Sequence, residues 1–364
     1  VKGGVALVTA LALGATASAP KLITFDCTGT LMRPTRPVGV IYRDALASSV
    51  SVRQLAEQRK QPSLVEIDAL TVDPDALGSA FSAAYKSRCA EYPCFGVGHV
   101  PCEEWWQPVV RDTYIDAGVP EDFVEGVMPE LFPTLYDSFT TAANWELMEA
   151  SMGVVEQLSR WRAQRDDDMV VGVISNFDDR LPTLLENLGI AHHFDFVLTS
   201  HEAGEEKPSK QVFEEACRRA SAGGETIAPE ECVHIGDTFA TDIVGASKAG
   251  WRAVFVKSDD DLMTLAPSDF ATMATHEHER VDTLGFVPRV VGAPPATALP
   301  TDEEKAALER GEGAADAIDP EVDIHVDEDD IDATERAWFE GYGGGPERMS
   351  SPPGEAAADA DGSR

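Results

Sequence analysis

Three short apolar runs, each ending in a polar side chain, constrain the fold of this chain more than any other feature. Run 21–25 ends in Asp26, with Cys27, Thr28, Gly29 and Thr30 directly after it. Run 170–174 ends in Ser175 and Asn176, and run 232–236 ends in Asp237, with Asp242 five residues on. A fourth piece, Lys207, stands in a turn marked by Pro208. Runs this short and apolar, separated by stretches of helical spacing, read as parallel strands buried on both faces. In such sheets the chemistry gathers at the carboxyl ends of the strands. Each polar group here sits at such an end or in the loop after it. One crevice can therefore hold Asp26, Thr28, Ser175, Lys207, Asp237 and Asp242, and Gly29 lets the chain bend sharply beside the first of them.

Strands near 170, 194, 232 and 252 alternate with helices near 180–188, 210–220 and 242–249. Repeated strand–helix units predict an α/β fold, an open parallel sheet with helices on both faces. An insertion separates the first strand from a helix near 153–162. Helical apolar spacing recurs in it at 40–55, 77–85, 105–114 and 123–131, punctuated by Pro62, Pro93, Gly96, Gly98, Gly118 and Pro120. That reads as a small helical cap over the crevice. The expected division is a core of 21–33 and 147–293, a cap over 34–146, a separate segment 1–20 and a tail 294–364.

The formal net charge of −35 argues against nucleic acid and anionic membrane surfaces as partners, since both call for clustered Lys and Arg. A phosphorylated small molecule remains compatible where a bound cation and a lysine reverse the local field. The tail holds 20 acids against 5 bases and is rich in Ala, Gly, Pro and Asp, so it reads as disordered. Within it Trp338, Phe339 and Tyr342 either dock on a protein partner or are incidental to a solvated segment. Residues 1–20 are apolar with one positive charge and read either as a targeting segment or as an unrelated leading stretch. The first reading implies an organellar or secretory location, the second a cytoplasmic or nuclear one. No other run is long enough for a stable membrane span. The six cysteines show no disulfide framework, and Cys89, Cys94, His99 and Cys102 are too loosely spaced for a zinc site.

Taken in order, Asp26-x-x-Gly29-Thr30, Ser175-Asn176, Lys207-Pro208 and Gly236-Asp237 with Asp242 resemble the four motifs of the haloacid dehalogenase superfamily. The stretches around Pro37, Tyr85, Trp105 and Trp106, 174–178 and 193–200 look like its branch of haloacid dehalogenase-like hydrolase domain-containing protein 3. The resemblance runs from about residue 21 to about residue 291. It leaves out the first twenty residues and the tail, and the stretch near 50–73 is longer than the family needs.

The resemblance implies a Rossmann-like three-layer α/β/α core with an inserted helical cap and a disordered acidic C-terminal tail. It implies a hydrolase, foremost a phosphatase acting on a small phosphorylated metabolite through an aspartyl-phosphate on Asp26. Mg2+ is then expected on Asp26, the Thr28 carbonyl and Asp237, with Asp242 supporting the ion through water or orienting Lys207. Lys207, Ser175 and the Asn176 backbone would hold the phosphoryl oxygens. Thr28 departs from the phosphatase pattern, which places an aspartate there as general acid and base. A hydroxyl cannot serve that way at neutral pH. Such a loss typically costs ~10²–10⁴ in rate, so slow turnover, or a preference for acyl and aryl phosphates, is expected. The superfamily's cation-pumping ATPases carry threonine here as well. Two alternatives stand beside this reading: a catalytically weak phosphate-binding or scaffold protein, and a metal-independent 2-haloacid dehalogenase. Substrate selection falls to Arg33, Tyr85 and Trp105, with Phe95, His99 and Trp106 beside them. Core packing is the competing reading for each aromatic. His276 and His278 read as surface residues.

Overall fold

Leu22, Ile23, Thr24 and Phe25 are all buried, as a strand covered on both faces must be. They form β1 (Leu22–Phe25) in a computed structural model that describes residues 19–49, 72–165, 168–221, 226–265 and 267–298. The remaining strands are β2 (Met32–Pro34), β3 (Trp145–Leu147), β4 (Val170–Ser175), β5 (Phe196–Thr199), β6 (Cys232–Gly236), β7 (Arg252–Val256) and β8 (Glu279–Val281). One six-stranded sheet runs in the order β5-β4-β1-β6-β7-β8, with every pairing parallel. The expected α/β architecture is thus present, with β8 as an edge strand that the sequence pattern does not announce.

Alternation along the strands feeds two separate cores. Ile23, Phe25, Val173 and Ile235 point to one face, where they meet α5 (Ser151–Arg162) through Val154, Val155 and Leu158. Leu22, Ile174 and Cys232 point to the other, against Val212, Phe213 and Ala216 of the helix Lys210–Ala220. That helix matches its expected bounds, and its N-cap Ser209 accepts a hydrogen bond from the Gln211 backbone.

Between β2 and β3 the described residues form four α-helices: α1 (Val38–Ser48), α2 (Pro74–Glu91), α3 (Cys102–Asp116) and α4 (Glu121–Ser138). Each starts at a proline. Pro37, Pro101 and Pro120 are N-caps, and Pro74 is the first residue of α2, where its missing N–H has no intrahelical partner to lose. Of the expected span 40–55, the described part is helical to Ser48 and 50–55 lie outside the described residues, while the spans 77–85, 105–114 and 123–131 prove too short. Helix α4 continues past Pro129 and Pro133 because Phe132 and Leu135 are buried beyond them, so packing outweighs the local cost of proline. The two ends of this insert lie side by side as the antiparallel pair β2–β3, in which Arg33 stands opposite Glu146.

With the helix Leu181–Asn187 as α6 and Lys210–Ala220 as α7, the chain passes from β6 through a π-helical turn, Phe239–Ile243, into α8 (Val244–Lys248). No helix among the described residues is long and apolar enough to cross a membrane. The segment 1–18, the stretch 50–71 and the acidic tail from 299 onward lie outside the described residues.

Candidate active site

The carboxyl ends of β4, β1 and β6, three neighbouring strands, deliver Ser175, Asp26 and Asp237 to one place. The Asp26 backbone N–H donates to the Ile235 carbonyl at 2.8 Å, so the sheet ladder holds the residue that leaves it. Ser175 Oγ donates to Asp26 Oδ1 at 3.3 Å. Lys207 Nζ lies 2.6 Å from Asp26 Oδ1 and 2.5 Å from Asp242 Oδ1, and it is 2 % exposed. The second Asp242 oxygen accepts the Thr238 backbone N–H at 2.9 Å.

The Asn176 side chain holds the lysine's backbone. Its amide donates to the Lys207 carbonyl at 2.9 Å and accepts the Lys207 N–H at 2.8 Å. Two glycines make the close approach of the acids possible. A Cβ on Gly29, whose φ is +86°, would fall 2.6 Å from the Asp237 carboxylate, and one on Gly236 would fall 2.3 Å from Asp242. Thr30 Oγ1 also donates to Asp237, at 3.2 Å.

Electrostatics divide the three acids. Burial pushes Asp26 up to about 7, with Lys207 opposing the rise. Burial likewise pushes Asp237 up to about 6, with Lys257, its Nζ 3.7 Å away, opposing. Burial would raise Asp242 too, but Lys207 and the His234 ring outweigh it and hold that carboxyl well below the usual carboxylate range. Burial works against the Lys207 ammonium, yet Asp242 and Asp26 together lift its pKa above that of an ordinary lysine.

One carboxylate oxygen each from Asp26, Asp237 and Asp242 lie within 4.8 Å of one another. A set made only of oxygen donors, with two of the acids pushed by burial toward holding protons, suits a hard cation such as Mg2+. The Thr28 hydroxyl is buried and has no hydrogen-bond partner among the described residues. A second group, Cys102, Asp178 and Asp179, also comes within 4.8 Å, but Asp178 is already paired with Arg180 and with the Trp106 ring N–H. Cys89, Cys94 and His99 belong to neither group among the described residues.

The residues expected to select substrate sit elsewhere in the packing. Arg33 pairs with Glu146 across β2–β3 at 2.8 Å. Tyr85 and Trp105 are buried among Phe95 and Trp106 inside the insert, and the Trp105 ring N–H donates to the Tyr92 carbonyl at 2.8 Å. For both aromatics the contacts are those of core packing. Phe239 touches the rings of His276 and His278, both half-buried rather than on open surface.

Three features escape sequence reading. Lys257 adds a cation beside Asp237. His234 stands behind Asp242. The loop after Ser175 grips the insert: Phe177 packs on Trp145, Asp178 accepts from Trp106, and Arg180 reaches the Tyr136 carbonyl while lying 4.0 Å from the centre of its ring. Only the spacing of Asp178 and Arg180 beside Ser175 could have hinted at the last.

The family model described as haloacid dehalogenase-like hydrolase matches residues 20–250. Haloacid dehalogenase-like hydrolase domain-containing protein 3 of Bos taurus is 32% identical over 243 residues, 66% of this chain and 84% of that protein. The Rhythmically expressed gene 2 protein of Drosophila melanogaster is 30% identical over 244 residues, 65% of this chain and 82% of that protein. A solved 2-haloacid dehalogenase from Pseudomonas syringae pv. Tomato is similar at 21% identity with a TM-score of 0.44, covering 75% of this chain and 98% of that one.

Proposed function

This chain belongs to the haloacid dehalogenase-like hydrolases, and from that membership we propose that it is an Mg2+-dependent phosphohydrolase working through an aspartyl-phosphate on Asp26. The observation that carries the reading is the approach of Asp26 and Asp237 to within 4.8 Å, with the Lys207 ammonium 2.6 Å from the first. Mg2+, held by Asp26, the Thr28 carbonyl and Asp237, would supply the positive charge that offsets repulsion between a carboxylate and a phosphate dianion.

The rest falls to the chain's own side chains. Asp26 attacks phosphorus, the bond to the leaving oxygen breaks, and an acyl phosphate forms. Lys207 Nζ and Ser175 Oγ, which touch Asp26 in the free chain, donate to the transferring phosphoryl oxygens. Water then attacks phosphorus, releasing inorganic phosphate and restoring the carboxylate. Departure of an alkoxide needs a proton, and Thr28 has none to give at neutral pH. Acyl and aryl phosphates, whose leaving groups depart as stable anions, escape that need and should turn over fastest.

Two other readings compete. A halide-releasing hydrolase would use Asp26 on carbon but would leave the buried Asp237 with no metal ion to hold, only its contact with Lys257. A weakly catalytic phosphate-binding or scaffold protein is favoured by Thr28. Acetyl phosphate, p-nitrophenyl phosphate and a sugar phosphate, each with Mg2+ and with EDTA, separate the three. Metal-dependent phosphate release, fastest on acetyl phosphate, supports the proposal. Halide release from a 2-haloacid in EDTA, or binding of Mg2+ and phosphate without turnover, replaces it.

Thr28→Asp is expected to raise kcat on alkyl phosphates by about tenfold or more, and to change that on p-nitrophenyl phosphate far less. An unchanged or lower rate on the sugar phosphate would remove this account of Thr28.

Metal affinity should depend on pH in a stated direction. With Asp26 at about 7 and Asp237 at about 6, both above the ordinary carboxylate value, a cation must displace protons to bind below neutrality. Mg2+ affinity measured by calorimetry should therefore strengthen as pH rises from about 5.5 to 8, with proton release that fades toward the upper end. A flat affinity over that range contradicts the shifts.

A further inference from the structure

Behind Asp242 lies a buried polar pair that none of these roles uses. Thr24 of β1 and His234 of β6 stand opposite each other in the sheet register, and both are fully buried. The Phe213 ring of α7 meets the imidazole edge-on, with ring centres 5.2 Å apart. An apolar pair would fill this space without any need for partners, whereas buried polar groups must find them. Thr24 Oγ1 lies 2.9 Å from His234 Nδ1, and His234 Nε2 lies 3.3 Å from Asp242 Oδ1. Asp242 Oδ1 accepts from Lys207 Nζ at 2.5 Å, and the same ammonium reaches Asp26 Oδ1 at 2.6 Å. A continuous line of polar contacts therefore joins the interior of the sheet to the nucleophile.

The direction of these bonds follows from what each group can do. An ionised carboxylate only accepts, so the His234 nitrogen that faces it carries the hydrogen. This holds whether the ring is neutral or charged. Nδ1 either accepts the Thr24 hydroxyl hydrogen or donates to that oxygen, while Thr24 passes its own hydrogen to the Val233 carbonyl 3.4 Å away. Asp242 is thus held by three donors, Lys207 Nζ and His234 Nε2 on Oδ1 and the Thr238 backbone N–H on Oδ2. Lysine is long and rich in rotamers, so its seat on Asp26 is only as fixed as the carboxylate that anchors it.

We propose that His234 is a positioning residue for the reaction: its Nε2–H fixes the Asp242 carboxylate in the orientation that keeps Lys207 on Asp26. The effect on turnover rests on the phosphohydrolase reading, whereas the effect on the lysine ammonium does not.

Two variants and two readouts test it. His234→Leu removes the donor and keeps the space filled, and His234→Gln restores an N–H at similar reach. On p-nitrophenyl phosphate, His234→Leu should lower kcat about tenfold with KM changed less than about twofold, and His234→Gln should recover to within about threefold of wild type. In 1H–15N spectra the Lys207 ammonium signal should be sharp in wild type and in His234→Gln, and broadened by exchange with water in His234→Leu. Equal losses in both variants, accompanied by a lower Tm, would assign His234 to packing and overturn the proposal. So would an ammonium signal left unchanged by His234→Leu. If wild type turns over no phosphate yet the ammonium responds as stated, the phosphohydrolase reading falls and the positioning role stands.

Discussion

Asp26→Asn is expected to lower phosphate release by ~10⁴-fold or more on every substrate, acetyl phosphate included. An amide cannot take up the phosphoryl group, and no other described carboxylate can replace it. Asp237 is turned to Thr30 and Lys257, and Asp242 is held by Lys207 and the Thr238 N–H. The fold should survive. Burial raises Asp26 to about 7, so its charge is a cost to the free chain, and an amide of the same shape removes that cost. Lys207 keeps Asp242 as its counter-charge. The measurement is a single-turnover assay beside a thermal melt. A variant that melts with wild type and forms no acid-stable phosphoprotein supports the nucleophile. Turnover within about tenfold of wild type would assign the nucleophile to another group and end the aspartyl-phosphate proposal.

The legibility of this site in the sequence follows from the sheet. Asp26, Ser175 and Asp237 each end a run of buried residues, and in a parallel sheet the ends of neighbouring strands meet whatever their separation along the chain. Lys207 belongs to no strand, and only the order of the motifs places it with the others. His234 stays hidden because it lies inside run 232–236, where a lone polar residue reads as part of a buried strand. Its partner Thr24 is 210 residues away, and only the register pairs them. Tyr85 and Trp105 illustrate a different limit: a helix gives the same aromatic spacing whether its apolar face lines a substrate cavity or fills a core. Strands β2 and β3, three residues each, are too short to show a period of two. They become visible only as the pair that closes the insert, and it is there that Arg33 finds Glu146.

Lys207→Met should produce the second large effect, and one with a pH signature. Lys207 is the only cation whose Nζ lies within 4 Å of both Asp26 and Asp242 among the described residues. Its loss leaves two buried carboxylates facing each other. Removing one partner from a buried ionic cluster typically costs ~3–5 kcal/mol, because the remaining charges have neither water nor a counter-ion. The sign with pH follows from the shifts. In wild type the lysine helps to hold Asp242 below the ordinary carboxylate range, so that pair's stabilisation is present at neutral pH and is lost only in strong acid. In the variant both carboxyls are raised, so the folded chain holds extra protons and becomes relatively more stable as pH falls. The Tm gap between wild type and Lys207→Met should therefore be widest near about pH 8 and should narrow toward about pH 5. On turnover, loss of the charge that steadies the transferring phosphoryl group should lower kcat by ~10²–10³. Lys207→Arg should not rescue it, since a planar fork does not fit a space shaped around a single ammonium with 2 % exposure. A Tm gap that stays constant across this pH range would mean that the lysine acts through packing rather than charge. The electrostatic account of the whole cluster would then fail with it.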